Sequence, residues 1–220
     1  MRNNSELAQN LIKKGMLKSK KIINAFYDID RGDFVISDEK ENAYTDYPLP
    51  IHCGQTILQP SAMAFILELL DIQYGENILD VGSGSGWSTT LLAYLAGRTG
   101  QVKGVEVIPE LVELGQKNLA RYHFAHASIQ EAKKDVYGLP KYAPYDKIMV
   151  SAAGSEIPAD LVKQLKIGGA MIIPVDKAVF YFKKISKQDA DIQKYQGFSF
   201  VPLISPQEQK NNFDLNSLPF

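Results

Sequence analysis

Apolar residues at the start of the chain recur every three or four positions: Leu7, Leu11, Ile12 and Met16, then Ile22, Ile23 and Phe26. That spacing stacks them on one face of a helix. Gly15 and its neighbouring lysines separate the two runs, so the pattern predicts two short amphipathic helices within residues 5–28. From residue 30 to 60 no period persists, and Gly32, Asp33, Pro48, Pro50, Gly54 and Pro60 punctuate the stretch. It reads as a long ordered loop, and loops of that length usually carry function. Beyond it the pattern predicts a helix over 62–70, a strand over 77–81, a glycine-rich turn, a helix over 88–95, a strand over 101–107 and a helix opened by Pro109. A strand ending near Asp135, a strand over 147–151, a helix after Pro158, a turn at Gly168-Gly169 and a strand over 170–175 continue the alternation. Two β-rich runs, 178–185 and 196–204, read as a closing hairpin, and residues 205–220 as a polar tail.

Strands alternating with helices predict an α/β fold with a doubly wound, mostly parallel, Rossmann-like sheet. At 220 residues the chain suits one such domain. Residues 1–60 supply the N-terminal helices and loop, 61–204 the α/β core and 205–220 the tail. Twenty-four Lys and Arg against 25 Asp and Glu leave a net charge of −1, without the basic stripe of a nucleic-acid binder. No run approaches the ~20 apolar residues of a membrane span, and Lys13, Lys14, Lys18, Lys20 and Lys21 precede no signal-like apolar core. A cytoplasmic monomer is expected, with neither nucleic acid nor membrane as partner. The single Cys53 excludes an internal disulfide, and with only His52, His123 and His126 beside it no metal is expected.

The chemistry concentrates after the first core strand, in Asp80-Val81-Gly82-Ser83-Gly84-Ser85-Gly86. Glycines between a strand and a helix let the backbone approach a ligand closely. In a nicotinamide or flavin dinucleotide site the third glycine of Gly-x-Gly-x-x-Gly permits tight packing of helix on strand; here Trp87 takes that place. Asp80 would repel a pyrophosphate but attract an ammonium and a sulfonium. The loop therefore favours S-adenosyl-L-methionine over NAD. Glu106 ends the next strand, 20 residues after Gly86, where an acid accepts from both ribose hydroxyls. Asp135, near the end of the third strand, is expected to meet the adenine amino group. In open α/β sheets ligands sit beyond the carboxyl ends of the strands, so the three acids would converge there.

Tyr44-Thr-Asp-Tyr-Pro-Leu-Pro-Ile51, Gly54-Gln-Thr-Ile57, Pro60, the glycine loop and Val105-Glu-Val-Ile-Pro-Glu110 together resemble the protein-L-isoaspartate O-methyltransferase family. Ala143-Pro-Tyr-Asp146, Ser151-Ala-Ala153, Glu156-Ile-Pro158, Leu165-Lys-Ile-Gly-Gly169, Ile173-Pro-Val175 and Phe200-Val-Pro-Leu203 extend the resemblance in order. It implies an S-adenosylmethionine-dependent carboxyl O-methyltransferase that esterifies the α-carboxylate of isoaspartyl residues in damaged proteins, initiating repair without a metal. It further implies that Thr56 and Ile57 line the cofactor, Gly82, Ser83, Gly84, Ser85 and Gly86 cradle its methionine part, Glu106 with Val107 holds the ribose, and Asp135 with Val136 the adenine. Ile51, Gln55 and position 58 fall to the substrate.

The chain departs from the family at one chemical position. The family continues Gly-Gln-Thr-Ile with a serine and then Ala-Pro-His-Met-His; this chain has Leu58-Gln59-Pro60-Ser61-Ala62-Met63. The family's Gly-Asp-Gly turn is Lys134-Asp135-Val136. An acceptor carboxylate with a pKa of about 3.5 is ionised at neutral pH and needs no general base. The serine would then contribute placement, and Gln59 or Ser61 are candidates to replace its hydrogen bond. His52, Cys53 and Trp87 read as structural, and Arg31-Gly32-Asp33 as a turn. Three readings remain open: isoaspartyl repair, another acceptor admitted by Leu58, or a non-catalytic module that binds cofactor and peptide.

Overall fold

The computed structural model describes residues 1–133, 136–197 and 200–203. The chain opens with α1 (Asn4–Lys13) and α2 (Lys20–Asp28). Asn3 caps α1 by accepting the Glu6 N–H at 2.9 Å, and Leu7, Ala8 and Leu11 form its buried stripe. The following loop is ordered by two 3-10 turns, Arg31–Phe34 and Ser37–Asn42, and by a ribbon in which β1 (Leu49–Pro50) pairs antiparallel with β2 (Thr56–Ile57). Then come α3 (Pro60–Leu70), β3 (Asn77–Val81), α4 (Trp87–Ala96), β4 (Gln101–Glu106), α5 (Pro109–Ala120) and β5 (Ala127–Glu131). The chain continues through β6 (Tyr145–Val150), α6 (Ala159–Gln164), β7 (Leu165–Val175), β8 (Ala178–Lys184) and β9 (Ala190–Gln196). Pro60 and Pro109 open their helices, where a missing N–H is harmless.

Among the described residues the main sheet has the order β5-β4-β3-β6-β7-β8-β9. The strands from β5 to β7 run parallel, and β8 and β9 are antiparallel additions. Period-two alternation gives each strand two apolar faces. Ile78, Met149 and Ile172 face a core that includes Leu11 of α1, Phe26 of α2, Leu67 of α3 and Leu91 of α4. Leu79, Ile148 and Met171 face the opposite core, with Leu161 of α6 and Leu139. This is the doubly wound arrangement that the alternation predicts. From β3 the chain moves outward to β4 and β5, then returns to the other side of β3 for β6. Such a reversal opens a crevice at the strand tips.

Three elements differ from expectation. β5 stops at Glu131, with the Ala132 N–H still donating to Glu106 O of β4 at 2.7 Å; Asp135, expected to end it, lies outside the described residues. Gly168 and Gly169 do not turn the chain but lie within β7. Gly168 has φ +83°, and the register against β6 shifts between Tyr145 and Lys147, so the pair marks a bulge that glycine relieves. The second hairpin arm is 190–196 rather than 196–204, because the Ile185 N–H closes the turn on Asp189 O at 2.9 Å. That arm is largely exposed and therefore carried little apolar signal. Residues 200–203 run beside Ala153, whose N–H bonds Val201 O at 2.8 Å and whose carbonyl accepts from Leu203 N–H at 2.7 Å. The expected polar tail, 205–220, lies outside the described residues.

Candidate active site

The crevice holds a cavity of about 290 Å³ at the tips of β3, β4 and β6. Its floor is the glycine turn. Gly82, Gly84 and Gly86 have φ of +79°, +50° and +89°, a region that costs a side-chain-bearing residue strain. The first turn of α4 and two groups on α5 fix this loop. A Cβ on Gly115 of α5 would stand only 2.9 Å from Gly84 O, so glycine there permits the helix to touch the turn. Three residues on, Asn118 donates its amide to Ser85 O at 2.9 Å in the buried interior.

The two acids beside the turn have different environments. Glu106 lines the cavity. Its Oε2 accepts the Gly84 N–H at 2.9 Å, and its Oε1 accepts Val107 and Ile108 N–H at 2.7 and 3.1 Å. Asp80 is not part of the cavity wall; it lies fully buried beneath the turn, where its Oδ2 accepts both Ser88 Oγ and Thr89 Oγ1 at 2.6 Å. Burial raises its pKa from 3.8 to about 6 despite the two hydroxyls, which favour the charged form. Through Oδ2 the acid ties the end of β3 to the first turn of α4, while its Oδ1 is buried without a hydrogen-bond partner.

A third wall comes from the N-terminal loop. Arg31 is completely buried and donates Nη1 to Ala43 O and Thr45 O at 2.7 and 3.2 Å, and Nη2 to Tyr47 O and Leu58 O at 2.9 and 3.2 Å. Its Cζ lies 5.4 Å from the centroid of Trp87, the first residue of α4. Desolvation lowers its pKa to about 10, partly opposed by Asp46, so it stays charged. Arg31 thus sits in the turn the sequence suggests but also gathers four carbonyls of the N-terminal loop, a role no sequence motif announces. The loop reaches the glycine turn: a Cβ on Gly84 would lie 3.5 Å from Ile51 Cδ1.

Of the residues singled out in the sequence, Ile51, Gln55, Thr56, Ile57, Leu58, Gln59, Gly82, Ser83, Gly84, Ser85, Glu106, Val107 and Val136 all border this one cavity. Gly86, Ser61 and Asp80 do not. Gly86 instead faces α5, where an added Cβ would be 2.8 Å from Gly115 O. Ser61 gives its N–H to Asp46 Oδ1 at 2.9 Å, and its side chain also bonds that carboxylate. Burial acts to raise the Asp46 pKa, but Ser61 and Lys14 more than offset it and hold the group below its usual range. Gln59 spends its amide on Asp46 O at 2.9 Å. Ser61 thus lies outside the cavity, bound to Asp46, whereas Gln59 borders it with one amide bond committed to Asp46 O. Met63, Trp87, Ser151 and segment 200–203 also line the cavity; the last two belong to the quoted family motifs but carried no assigned role. Among the described residues no group of three His, Cys, Asp or Glu stands together to hold a metal, and no helix is long and apolar enough to cross a membrane.

A seven-stranded sheet whose glycine turn and acid-tipped β4 border one crevice defines the S-adenosylmethionine-dependent methyltransferase class. The comparisons agree on a particular family: the family model described as protein-L-isoaspartate(D-aspartate) O-methyltransferase matches residues 2–208. The chain belongs to that family. It is 40% identical over 204 residues to a protein-L-isoaspartate O-methyltransferase of Thermococcus onnurineus, covering 89% of this chain and 90% of that protein. A relative of the same name from Pyrococcus horikoshii is 41% identical over 198 residues, covering 87% and 88%. A Plasmodium falciparum protein described as a methyltransferase of this kind, solved in complex with S-adenosyl-L-homocysteine, superposes with a TM-score of 0.82 at 27% identity, covering 92% of this chain and 99% of that one.

Two consequences are measurable. Gly115→Ala adds helix propensity worth about 1 kcal/mol, yet places a methyl against the glycine turn. Calorimetric affinity for S-adenosylhomocysteine is expected to fall about fivefold or more; full affinity with raised stability would show that the close approach is dispensable. An acid whose pKa is raised on folding holds its proton more tightly in the native state, so the Asp80 contribution falls as pH rises from 3.8 to about 6 and is flat above. That rise corresponds to about 3 kcal/mol. Asp80→Asn keeps a carbonyl for Ser88 and Thr89, and its stability relative to the native chain is expected to climb over that window in urea unfolding. A difference constant between pH 4 and 7 would remove the buried ionised acid from the account.

Proposed function

We infer that this chain transfers a methyl group from S-adenosyl-L-methionine to the α-carboxylate of isoaspartyl residues in proteins and peptides. The observation that carries the reading is the meeting of two walls in one cavity: the glycine turn with Glu106, and the Gly54-Gln-Thr-Ile57 loop that lays Ile51 over Gly84. Donor and acceptor chemistry share that space.

The residues present fit the cofactor. Ser83 Oγ and Trp87 Nε1 on the cavity wall are buried without a hydrogen-bond partner, and the glycine turn offers backbone that no Cβ screens. A carboxylate has about four acceptor positions. Glu106 commits two N–H groups to Oε1 and one to Oε2, which leaves Oε2 for a ribose hydroxyl. Thr56 and Ile57 flank the turn from the loop side, and Val107 and Val136 supply apolar wall; Asp135 is retained as an adenine contact by resemblance alone.

When bound, S-adenosylmethionine supplies an electrophilic methyl: an acceptor oxygen forms the O–CH3 bond while the C–S bond breaks and its electron pair stays on sulfur. The acceptor arrives ionised, so the chain needs no proton-accepting residue. What it provides is alignment and exclusion of water, effects that together reach about 7–11 kcal/mol in well-oriented systems. Pro48, Ile51, Leu58 and Met63 form the apolar part of the wall on the loop side. Leu58 and Met63 also favour a second reading, a carboxylate acceptor with apolar surroundings other than isoaspartate.

Purified protein with labelled cofactor is expected to form base-labile methyl ester on an isoaspartyl peptide and none on its aspartyl twin. Ester on a different carboxylate alone would select the second reading, and cofactor binding without transfer would make the chain a binding module. Glu106→Ala is expected to weaken S-adenosylhomocysteine binding by about 1.5–3 kcal/mol, since a hydrogen bond to a charged group is lost; unchanged affinity would refute its ribose contact.

A further inference from the structure

We propose that the hydroxyl of Ser151 binds the acceptor carboxylate, taking over the hydrogen bond lost where the family's serine is Leu58. The assignment rests on the isoaspartyl reading above and concerns the acceptor end of the same cavity.

Ser151 follows β6, and its N–H bonds Val81 O at 2.9 Å, which seats it at the adjoining tip of β3. Its Cβ lies 3.9 Å from where a Cβ on Gly82 would be, and the residue borders the cavity that Leu58 and Met63 also border. Its Oγ is buried and has no hydrogen-bond partner. A buried hydroxyl without a partner is a poor structural choice, because alanine would fill the same place without a desolvated donor. Rotation about one bond re-aims it.

Position in the sheet selects its partner. With the ribose at Glu106 on the tip of β4 and the amino-acid part of the donor over the turn after β3, the next strand in the order β4-β3-β6 is the tip left for the acceptor. Of the other hydroxyls, Ser61 is engaged with Asp46 and Ser88 with Asp80, Thr56 is exposed on the loop, and Ser85 belongs to the glycine turn. Ser83, also without a partner, lies within the glycine turn and therefore on the donor side. The Ser151 backbone is held by Val81, and the next residue but one by Val201 through the Ala153 N–H at 2.8 Å, so the hydroxyl stands on a braced ledge.

A hydrogen bond to a carboxylate weakens as negative charge leaves it during methyl transfer. Ser151 should accordingly act on peptide binding more than on turnover. Kinetics with an isoaspartyl peptide, and calorimetric titration of that peptide into the protein saturated with S-adenosylhomocysteine, test this for Ser151→Ala and Ser151→Thr. Ser151→Ala is expected to raise KM and the peptide Kd about tenfold, a change of about 1.4 kcal/mol, with kcat within about threefold and S-adenosylhomocysteine affinity unchanged. Ser151→Thr, which keeps the hydroxyl, is expected to stay near the native values. In a Leu58→Ser background the loss caused by Ser151→Ala should shrink to about threefold or less, because a second hydroxyl then serves the carboxylate. Peptide binding unaffected by Ser151→Ala, a matching loss of S-adenosylhomocysteine affinity, or an equal loss in both backgrounds each overturns the assignment. If the native protein esterifies no isoaspartyl peptide, the functional reading itself fails and this assignment falls with it.

Discussion

The buried guanidinium of Arg31 is the contact on which the acceptor half of the site depends. Taking a cation out of water costs several kcal/mol unless its donors are satisfied; here the two terminal nitrogens make four hydrogen bonds, all to backbone carbonyls, Nε is buried without a partner, and the face of Trp87 lies beneath. Because those carbonyls belong to residues 43, 45, 47 and 58, one side chain sets the path of the entire loop. Leu58 and Pro48 reach the cavity, and Ile51 reaches Gly84, as a result. Lysine would present one compact charge instead of a planar fork and could not span the same set. The stack on Trp87 also joins the loop to α4. Acceptor wall and cofactor turn are thereby held to a common helix end.

Local chemistry made the centre of the fold legible. The strand over 77–81, the glycine turn, the helix from Trp87 and the strand to Glu106 each declare themselves through periodicity and through glycines at positive φ, and the structure has them within a residue of where the pattern places them. Features created by long-range approach left no such trace. Gly115 sits in the interior of a helix, where glycine ordinarily only weakens it, and its reason is a turn some thirty residues earlier. The Arg31 partners are carbonyls, which every residue carries. The strand 190–196 is mostly exposed and polar, so it shows weak alternation.

Asp80 is the instructive exception, because its orientation was encoded. In β3 it alternates with Leu79 and therefore shares a face with Ile78, toward the core that α4 covers. Ser88 and Thr89, at the start of α4, are the hydroxyls that such an inward carboxylate requires. Gly104 on the adjoining strand completes the arrangement, since a Cβ there would stand 2.8 Å from Thr89 Oγ1. One acid is therefore committed beneath the loop and the other, Glu106, to its rim. Both join the turn to a strand end, and each keeps an acceptor position: Asp80 its unpartnered Oδ1 beneath the turn, Glu106 one on Oε2 at the cavity wall.

The apolar acceptor wall then follows a consistent energetic logic. In methyl transfer from a sulfonium to a carboxylate, opposite charges disappear on the way to product. Surroundings that bind the separated charges strongly stabilise the starting state more than the transition state, and only the difference accelerates the step. A leucine at position 58 removes a donor from the carboxylate, which weakens its capture but does not remove any interaction unique to the transition state. The chain can thus lose the family's serine while keeping the alignment that Arg31 and the glycine turn impose. The substitution shifts the demand from the loop to the strand tips, where the backbone is already braced by the sheet.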